Sequence, residues 1–176
     1  GESGIGVFTL TTTYLGLFYL FADFGFNAYV LKKMARENCD LGQEWAKLLG
    51  TRVLWAAFLV VLAIILLPLW PFTTLTFFFA VLLGSLDILA SAVFITSNLV
   101  FQSKLKYELA TVATFTGRAI GLAVFLYLAA LKVEIPFLVF SYLLGGMFIA
   151  LISLYLVKRL VKSFRIIIDL GYVKNL

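Results

Sequence analysis

The chain predicts an all-α integral membrane protein, a polytopic helix bundle. Three observations carry that prediction: five apolar runs of membrane length, basic residues gathered on one side of those runs, and a composition suited to lipid. The runs cover residues 5–31, 53–72, 75–101, 109–131 and 135–157. Each supplies the roughly 20 apolar residues that carry a helix across a hydrocarbon core. None alternates with the period of a half-buried strand, and in lipid a helix is the simplest way for a long run to satisfy its own backbone. Hydrophobic residues make up 63% of the chain and charged ones 13%, with 18 Phe among 176 residues. Mean hydropathy is +1.08. A soluble core of this size has no use for so much apolar surface.

Charge sets the expected orientation. The connection 32–52 carries Lys32, Lys33, Arg36, Lys47 and Arg52, the connection 102–108 carries Lys104 and Lys106, and the tail carries Lys158, Arg159, Lys162, Arg165 and Lys174. Lys132 stands alone on the opposite face, and Arg118 lies inside a span. By the positive-inside rule, segments 32–52, 102–108 and 158–176 are cytoplasmic in a multi-pass protein of the inner (plasma) membrane. The net charge of +5 then reflects topology, with membrane lipids rather than nucleic acid as the expected partner. The first span begins outside on this reading, and Gly1-Glu2 does not resemble a signal peptide. An upstream helix is the simplest explanation, so the chain is expected to be part of a longer protein that also continues past Leu176. Residues 1–157 form the five-span bundle, and residues 158–176 a basic amphipathic cytoplasmic linker.

Short connections make successive spans antiparallel neighbours. Pro68-Leu69-Trp70-Pro71, followed by Phe72-Thr73-Thr74, reads as a tight external hairpin, with Pro ending the helix and Trp70 at the interface. Residues 41–50 read as a helix lying on the membrane, with Leu41, Trp45, Leu48 and Leu49 opposite Glu44 and Lys47. From Lys158 onward Leu160, Val161, Phe164, Ile167 and Ile168 oppose Lys158, Lys162, Arg165 and Asp169 in the same manner. The second span has no polar side chain other than Trp55 between Val53 and Leu67 and is expected to face lipid.

Function is sought where polar groups enter the membrane, because an ionisable residue there costs roughly 2.5 to 3.5 kcal/mol on insertion scales. The first span carries a stripe of Thr12, Gly16, Tyr19, Asp23 and Asn27. The third repeats it with Ala80, Gly84, Asp87, Ser91, Asn98 and Gln102. In the fourth, Thr111, Thr114, Arg118 and Gly121 share a side, and Gly117 with Gly121 forms a surface for close packing. The candidates for a substrate or ion pathway are Arg118, Asp87, Asp23, Asn27 and Asn98. Two readings of Asp87 and Arg118 stay open, a structural ion pair or groups lining a polar cavity, and for Asp23 and Asn27 the alternative is local capping. Cys39 is single and there is no His, so no metal centre or disulfide is expected, and no constellation of catalytic residues marks an enzyme.

Ala22-Asp23-Phe24-Gly25-Phe26-Asn27, with Ala35-Arg36 after it, resembles the Asp-x-Gly signature and trailing Ala-Arg at the end of the second transmembrane helix of polysaccharide flippases. Gly1-Glu2-Ser3-Gly4-Ile5-Gly6 resembles the turn before that helix, and Phe101-Gln102-Ser103-Lys104-Leu105-Lys106-Tyr107 the connection from the fourth helix to the fifth. Across essentially its whole length the chain resembles the Wzx-type oligosaccharide flippases of the multidrug/oligosaccharidyl-lipid/polysaccharide exporter superfamily. That resemblance implies helices two to six of the first lobe of a two-lobe exporter. It also implies a lipid-linked oligosaccharide substrate, usually on undecaprenyl diphosphate, moved by alternating access for cell-surface polysaccharide synthesis. No cofactor is implied beyond a coupling proton or sodium ion, for which Asp23 and Asp87 are candidates unless they hold Arg118 in place. Polysaccharide assembly proteins are the implied protein partners. A role for Arg118 on a diphosphate or acidic sugar is a physical inference, since its position matches no family motif. Two rivals stand beside this reading: an ion-coupled multidrug exporter of the same superfamily, and a non-transporting membrane scaffold. A second hydrophobic lobe with a cationic cavity would separate them from a flippase.

The charge asymmetry makes a direct prediction. In intact cells a cysteine placed within 32–52 is protected from an impermeant thiol reagent, and one at Thr73 is labelled; the reverse pattern would overturn the orientation.

Overall fold

Long apolar runs without internal breakers grow into long helices, and their ends are set by polar caps and left-handed turns. The computed structural model describes residues 2–23, 27–35, 39–70, 74–161 and 167. Among these are α1 (Glu2–Asp23), α2 (Asn27–Met34), α3 (Leu41–Leu66) with a 3-10 turn at Leu67–Leu69, α4 (Leu75–Ser103), α5 (Tyr107–Ala130) and α6 (Ile135–Leu160). Among the described residues five helices are long and apolar enough to cross a membrane, and the protein is an all-α, multi-pass membrane bundle.

Two helices start under side-chain caps. Asp40 caps α3 by accepting from the amides of Gly42 and Gln43 at 3.0 and 3.2 Å, and Thr74 caps α4 through the amide of Phe77 at 3.2 Å, satisfying amides left free by the first turn. The ends of α4 and α5 are tighter. Leu105 and Lys132 take φ of 55° and 54°. At the first turn, Lys106 N–H reaches Phe101 O at 2.8 Å and Leu105 N–H reaches Gln102 O at 3.0 Å. This is the paired hydrogen-bond pattern of a Schellman cap, here without the usual glycine. It reverses the chain in a few residues.

Helix α4 runs through the centre. It packs against α1, α2, α3 and α6, whereas α5 is held chiefly by α6. At one end Tyr14, Leu15 and Phe18 of α1 meet Ala56, Leu59 and Ala63 of α3 and Phe77, Val81 and Ile88 of α4. Tyr14 also donates to Ala63 O at 2.6 Å. At the other, the basic end, Val30 and Met34 of α2 join Trp45, Leu48 and Leu49 of α3, Val100 and Phe101 of α4 and Val157 of α6.

Several expectations are corrected. Residues 41–50 do not form a separate helix on the membrane surface: nothing breaks the helix between them and the span, α3 is continuous, and Trp45, Leu48 and Leu49 are buried in the bundle. Arg52 consequently sits inside a helix, not in a connection. Helix α3 does not simply face lipid, because Ala56, Leu59 and Ala63 form a packed face opposite exposed Phe58, Val61 and Ile65. Of the first expected span, residues 5–23 lie in α1 and residues 27–31 in α2. Helices α4 and α5 are successive but barely touch, because α6 lies between them. Lys158, Arg159 and Leu160 belong to α6. The rest of the expected linker, apart from Val161 and Ile167, lies outside the described residues, as do 71–73 of the hairpin and 24–26 of the Asp-x-Gly stretch.

The α5–α6 contact depends on glycine. A methyl on Gly117 would come within 2.3 Å of Ile149 Cγ1 and 2.7 Å of Gly145 O, and one on Gly121 within 3.1 Å of Gly145 Cα. Backbones therefore touch where side chains would otherwise hold them apart. Gly117→Ala is expected to destabilise the bundle by about 1–3 kcal/mol, as overpacking does. Gly16→Ala, with nothing within 4 Å of its added methyl, is expected to be neutral or slightly stabilising, and thermal unfolding in detergent distinguishes the two.

Candidate functional site

Hydroxyls along the helices commonly turn back on their own backbone, as Thr12 and Thr111 of the polar stripes do. Thr11 donates to Val7 O at 2.8 Å, Thr96 to Ala92 O at 2.8 Å, Ser97 to Val93 O at 2.8 Å and Ser141 to Leu138 O at 2.6 Å. Such bonds let a hydroxyl sit in an apolar bundle without a partner from another helix. Apart from Tyr14 with Ala63 O and Trp55 with Phe21 O, the polar groups described as reaching across helices fall into two clusters.

The central cluster joins α1, α4, α5 and α6. The Tyr19 hydroxyl lies 2.6 Å from Asp87 Oδ2, tying two stripes that were separate in the sequence. Asp87 is 3% exposed, and its other oxygen, Oδ1, is buried without a hydrogen-bond partner. That oxygen presses on α6: a methyl on Gly146 would lie 1.5 Å from it. Arg118 stacks over the Tyr142 ring at 4.8 Å from its centroid. Among the described residues no ion pair joins Asp87 to Arg118. The structural ion pair left open by the sequence is therefore not formed, because the carboxyl takes a phenol and the guanidinium an aromatic face.

Arg118 also opens onto a cleft of about 210 Å³ between α1, α5 and α6, walled by Phe8, Leu122, Phe125, Gly121 and Tyr142. The Phe8 and Phe125 rings, 6.0 Å apart, are in contact beside it. One exposed guanidinium beside an apolar, aromatic wall is an arrangement that binds an anion with an attached hydrocarbon.

The second cluster lies at the basic end. Asn27 bridges Asp23 and Arg52, donating to the carboxylate and accepting from the guanidinium. Arg52 Nη2 is 3.8 Å from Asp23, with side-chain exposures of 6% and 49%. Nearby, Lys33 pairs with Glu44 at 2.9 Å. Asp23 and Asn27 thus act together across helices rather than as a local cap alone. Asn98, half-buried on α4, belongs to neither cluster.

Reading the sequence missed Arg52, Tyr142 and Gly146. Arg52 was hidden by its place next to other basic residues. The signal for Gly146 was present, a Gly-Gly pair inside an otherwise apolar span, but its partner Asp87 lies far away in the chain. Cation–aromatic pairs such as Arg118 with Tyr142 leave no spacing signature between helices.

A protein-family model described as polysaccharide biosynthesis protein matches residues 2–175. No curated protein and no solved structure matches the chain.

The Asp87 contacts yield a suppressor prediction. Gly146→Ala is expected to lower thermal stability strongly, because its methyl displaces the carboxyl from Tyr19, and Asp87→Ala combined with it is expected to recover most of the loss. If the double variant is no better than Gly146→Ala alone, the carboxyl is not what the glycine accommodates.

Proposed function

Because the chain belongs to the polysaccharide biosynthesis protein family, we propose that it serves the flipping of a lipid-linked oligosaccharide across the plasma membrane, by alternating access, for cell-surface polysaccharide synthesis. The basic end is cytoplasmic in this reading. The observation that carries it is Arg118, a cation inside a span, exposed to a cleft and held by an aromatic ring instead of a carboxylate.

Sugars and phosphates do not cross hydrocarbon unaided, so a path must replace their water with polar protein groups while the lipid tail stays in apolar surroundings. The Tyr142 ring supports one face of the Arg118 guanidinium and leaves its edge free for two parallel hydrogen bonds to phosphate oxygens. Phe8, Leu122 and Phe125 offer an apolar wall to the first part of an isoprenoid chain. At about 210 Å³ the cleft is smaller than the roughly 300–1,000 Å³ of pockets for drug-sized ligands. It suits a phosphate-bearing headgroup, and the glycan extends beyond it. A cationic cleft also favours an anionic cargo over the cationic amphiphiles of a drug exporter.

Replacing Arg118 in the full-length protein tests this. Arg118→Ala is expected to reduce flipping of lipid-linked precursor in cells about tenfold or more, since a hydrogen bond to a charged group contributes roughly 1.5–3 kcal/mol. Membrane abundance is expected to stay near normal, and Arg118→Lys to recover part of the activity because an ammonium lacks the planar fork. Unchanged flipping, or a loss that only follows abundance, would overturn the role.

A further inference from the structure

We propose that the turn between α4 and α5, Lys104-Leu105-Lys106, is a docking site for an anionic phospholipid, with Leu105 entering the bilayer interface and the two lysines taking the headgroup phosphate.

The length of α4 sets the depth of this turn. The helix has 29 residues, which at 1.5 Å each make about 43 Å. A bilayer measures roughly 40–45 Å with its headgroups and about 30 Å for the hydrocarbon alone. A helix of that length carries the turn that follows it past the hydrocarbon and holds it at headgroup level.

Leu105 is badly placed for water. Its φ is 55°, a left-handed conformation that glycine adopts freely and leucine only with strain. It is also 76% exposed, so the bundle gives this leucine neither a relaxed backbone nor burial. The turn after α5 holds Lys132 at φ 54°, and there a charged side chain is satisfied by water. An apolar side chain held out at the same kind of turn is satisfied only where an apolar medium receives it, and at headgroup level that medium is the lipid.

Charge selects the kind of lipid. Lys104 and Lys106 are exposed, and among the described residues neither is in an ion pair. Lys104 lines, with Leu160 and Val161, a cleft of about 370 Å³, which puts the last turn of α6 with Lys158 and Arg159 beside it. Two acids are near. Asp40 shares the cleft, but its carboxylate is engaged by the amides of Gly42 and Gln43, and Glu108 lies in the first turn of α5, where the helix dipole favours it. Four basic side chains against these two acids attract a headgroup with net negative charge, and less so a zwitterionic one whose own cation offsets its phosphate. Lysines flanking an apolar tip match such a lipid part by part: ammonium to phosphate oxygen, leucine to the first methylenes of the acyl chain. The contact is independent of what the protein moves, so it stands or falls separately from the flippase reading.

Quenching and thermal unfolding of the purified full-length protein test it. The emission of Leu105→Trp in vesicles is expected to be quenched more strongly by brominated phosphatidylglycerol than by brominated phosphatidylcholine. That difference is expected to disappear when Lys104→Gln and Lys106→Gln are added, and to shrink in about 1 M salt, which screens exposed charges beyond roughly 3 Å. Phosphatidylglycerol added in neutral detergent is expected to raise the thermal midpoint of the wild type, and to raise it less in the double lysine variant and in Leu105→Gly. Without that lipid, Leu105→Gly is expected to be at least as stable as wild type, because glycine relieves the backbone. Three results would overturn the proposal: equal quenching by the two lipids, the same rise in midpoint from inorganic phosphate as from phosphatidylglycerol, which would mark a free-anion site, or a Leu105→Gly variant destabilised equally with and without the lipid, which would mean that the leucine serves the turn itself.

Discussion

The Gly145-Gly146 step of α6 is the contact on which the arrangement of this bundle depends. Gly145 faces α5, where it meets the backbone of Gly117 and Gly121. Gly146 faces α4 and receives the carboxyl of Asp87. Two adjacent residues on a helix point in directions about 100° apart, so a pair of missing side chains lets one helix approach two neighbours at once. In lipid no hydrophobic force draws helices together, and such close approach supplies much of the attraction between them. Helix α6 is therefore the wedge that keeps α4 and α5 apart and joins both.

That geometry explains how chemistry is distributed in the protein. Hydroxyls that bond to their own helices can be placed anywhere along an apolar surface, and they are. Groups with charge cannot. Arg52 is buried only where Asn27 and Asp23 surround it and Asp87 only where Tyr19 meets it, while Arg118 stays exposed at a cleft with an aromatic ring to lie on. Breaking one member of such a set leaves the others without partners in a medium that offers no substitute, which is why the clusters are tied to helix positions.

The architecture was legible because its causes are local. Unbroken apolar runs specify long helices, and the Gly117/Gly121 spacing marks a packing face whatever the partner. Asp87 and Arg118 stand out as costly in hydrocarbon from the sequence alone. Their partners do not, because depth in the membrane says nothing about which way a side chain faces. Asp87 and Arg118 share a depth, yet each turns to a tyrosine. Arg52 was misplaced for a related reason: a basic residue beside an apolar run reads as the edge of a span, and only the burial of Trp45 and Leu49 before it reveals that the helix had begun earlier. The order of helices in space was likewise out of reach, since a short connection requires two spans to be near but does not forbid a third from coming between.

This order in space has a consequence for how the protein is made. Helix α5 leaves the ribosome before α6, yet among its described residues Ala113, Gly117 and Gly121 are the buried ones, and the glycines meet α6. It must therefore enter the bilayer surrounded by lipid and wait there, while α1, α3 and α4 already have one another. Only when α6 has crossed can it slide between α4 and the waiting helix and dock both. Docking of α5 through its glycine face therefore has to follow the insertion of α6. During that interval the unpaired glycine face of α5 is the part of the nascent chain most open to the wrong neighbour.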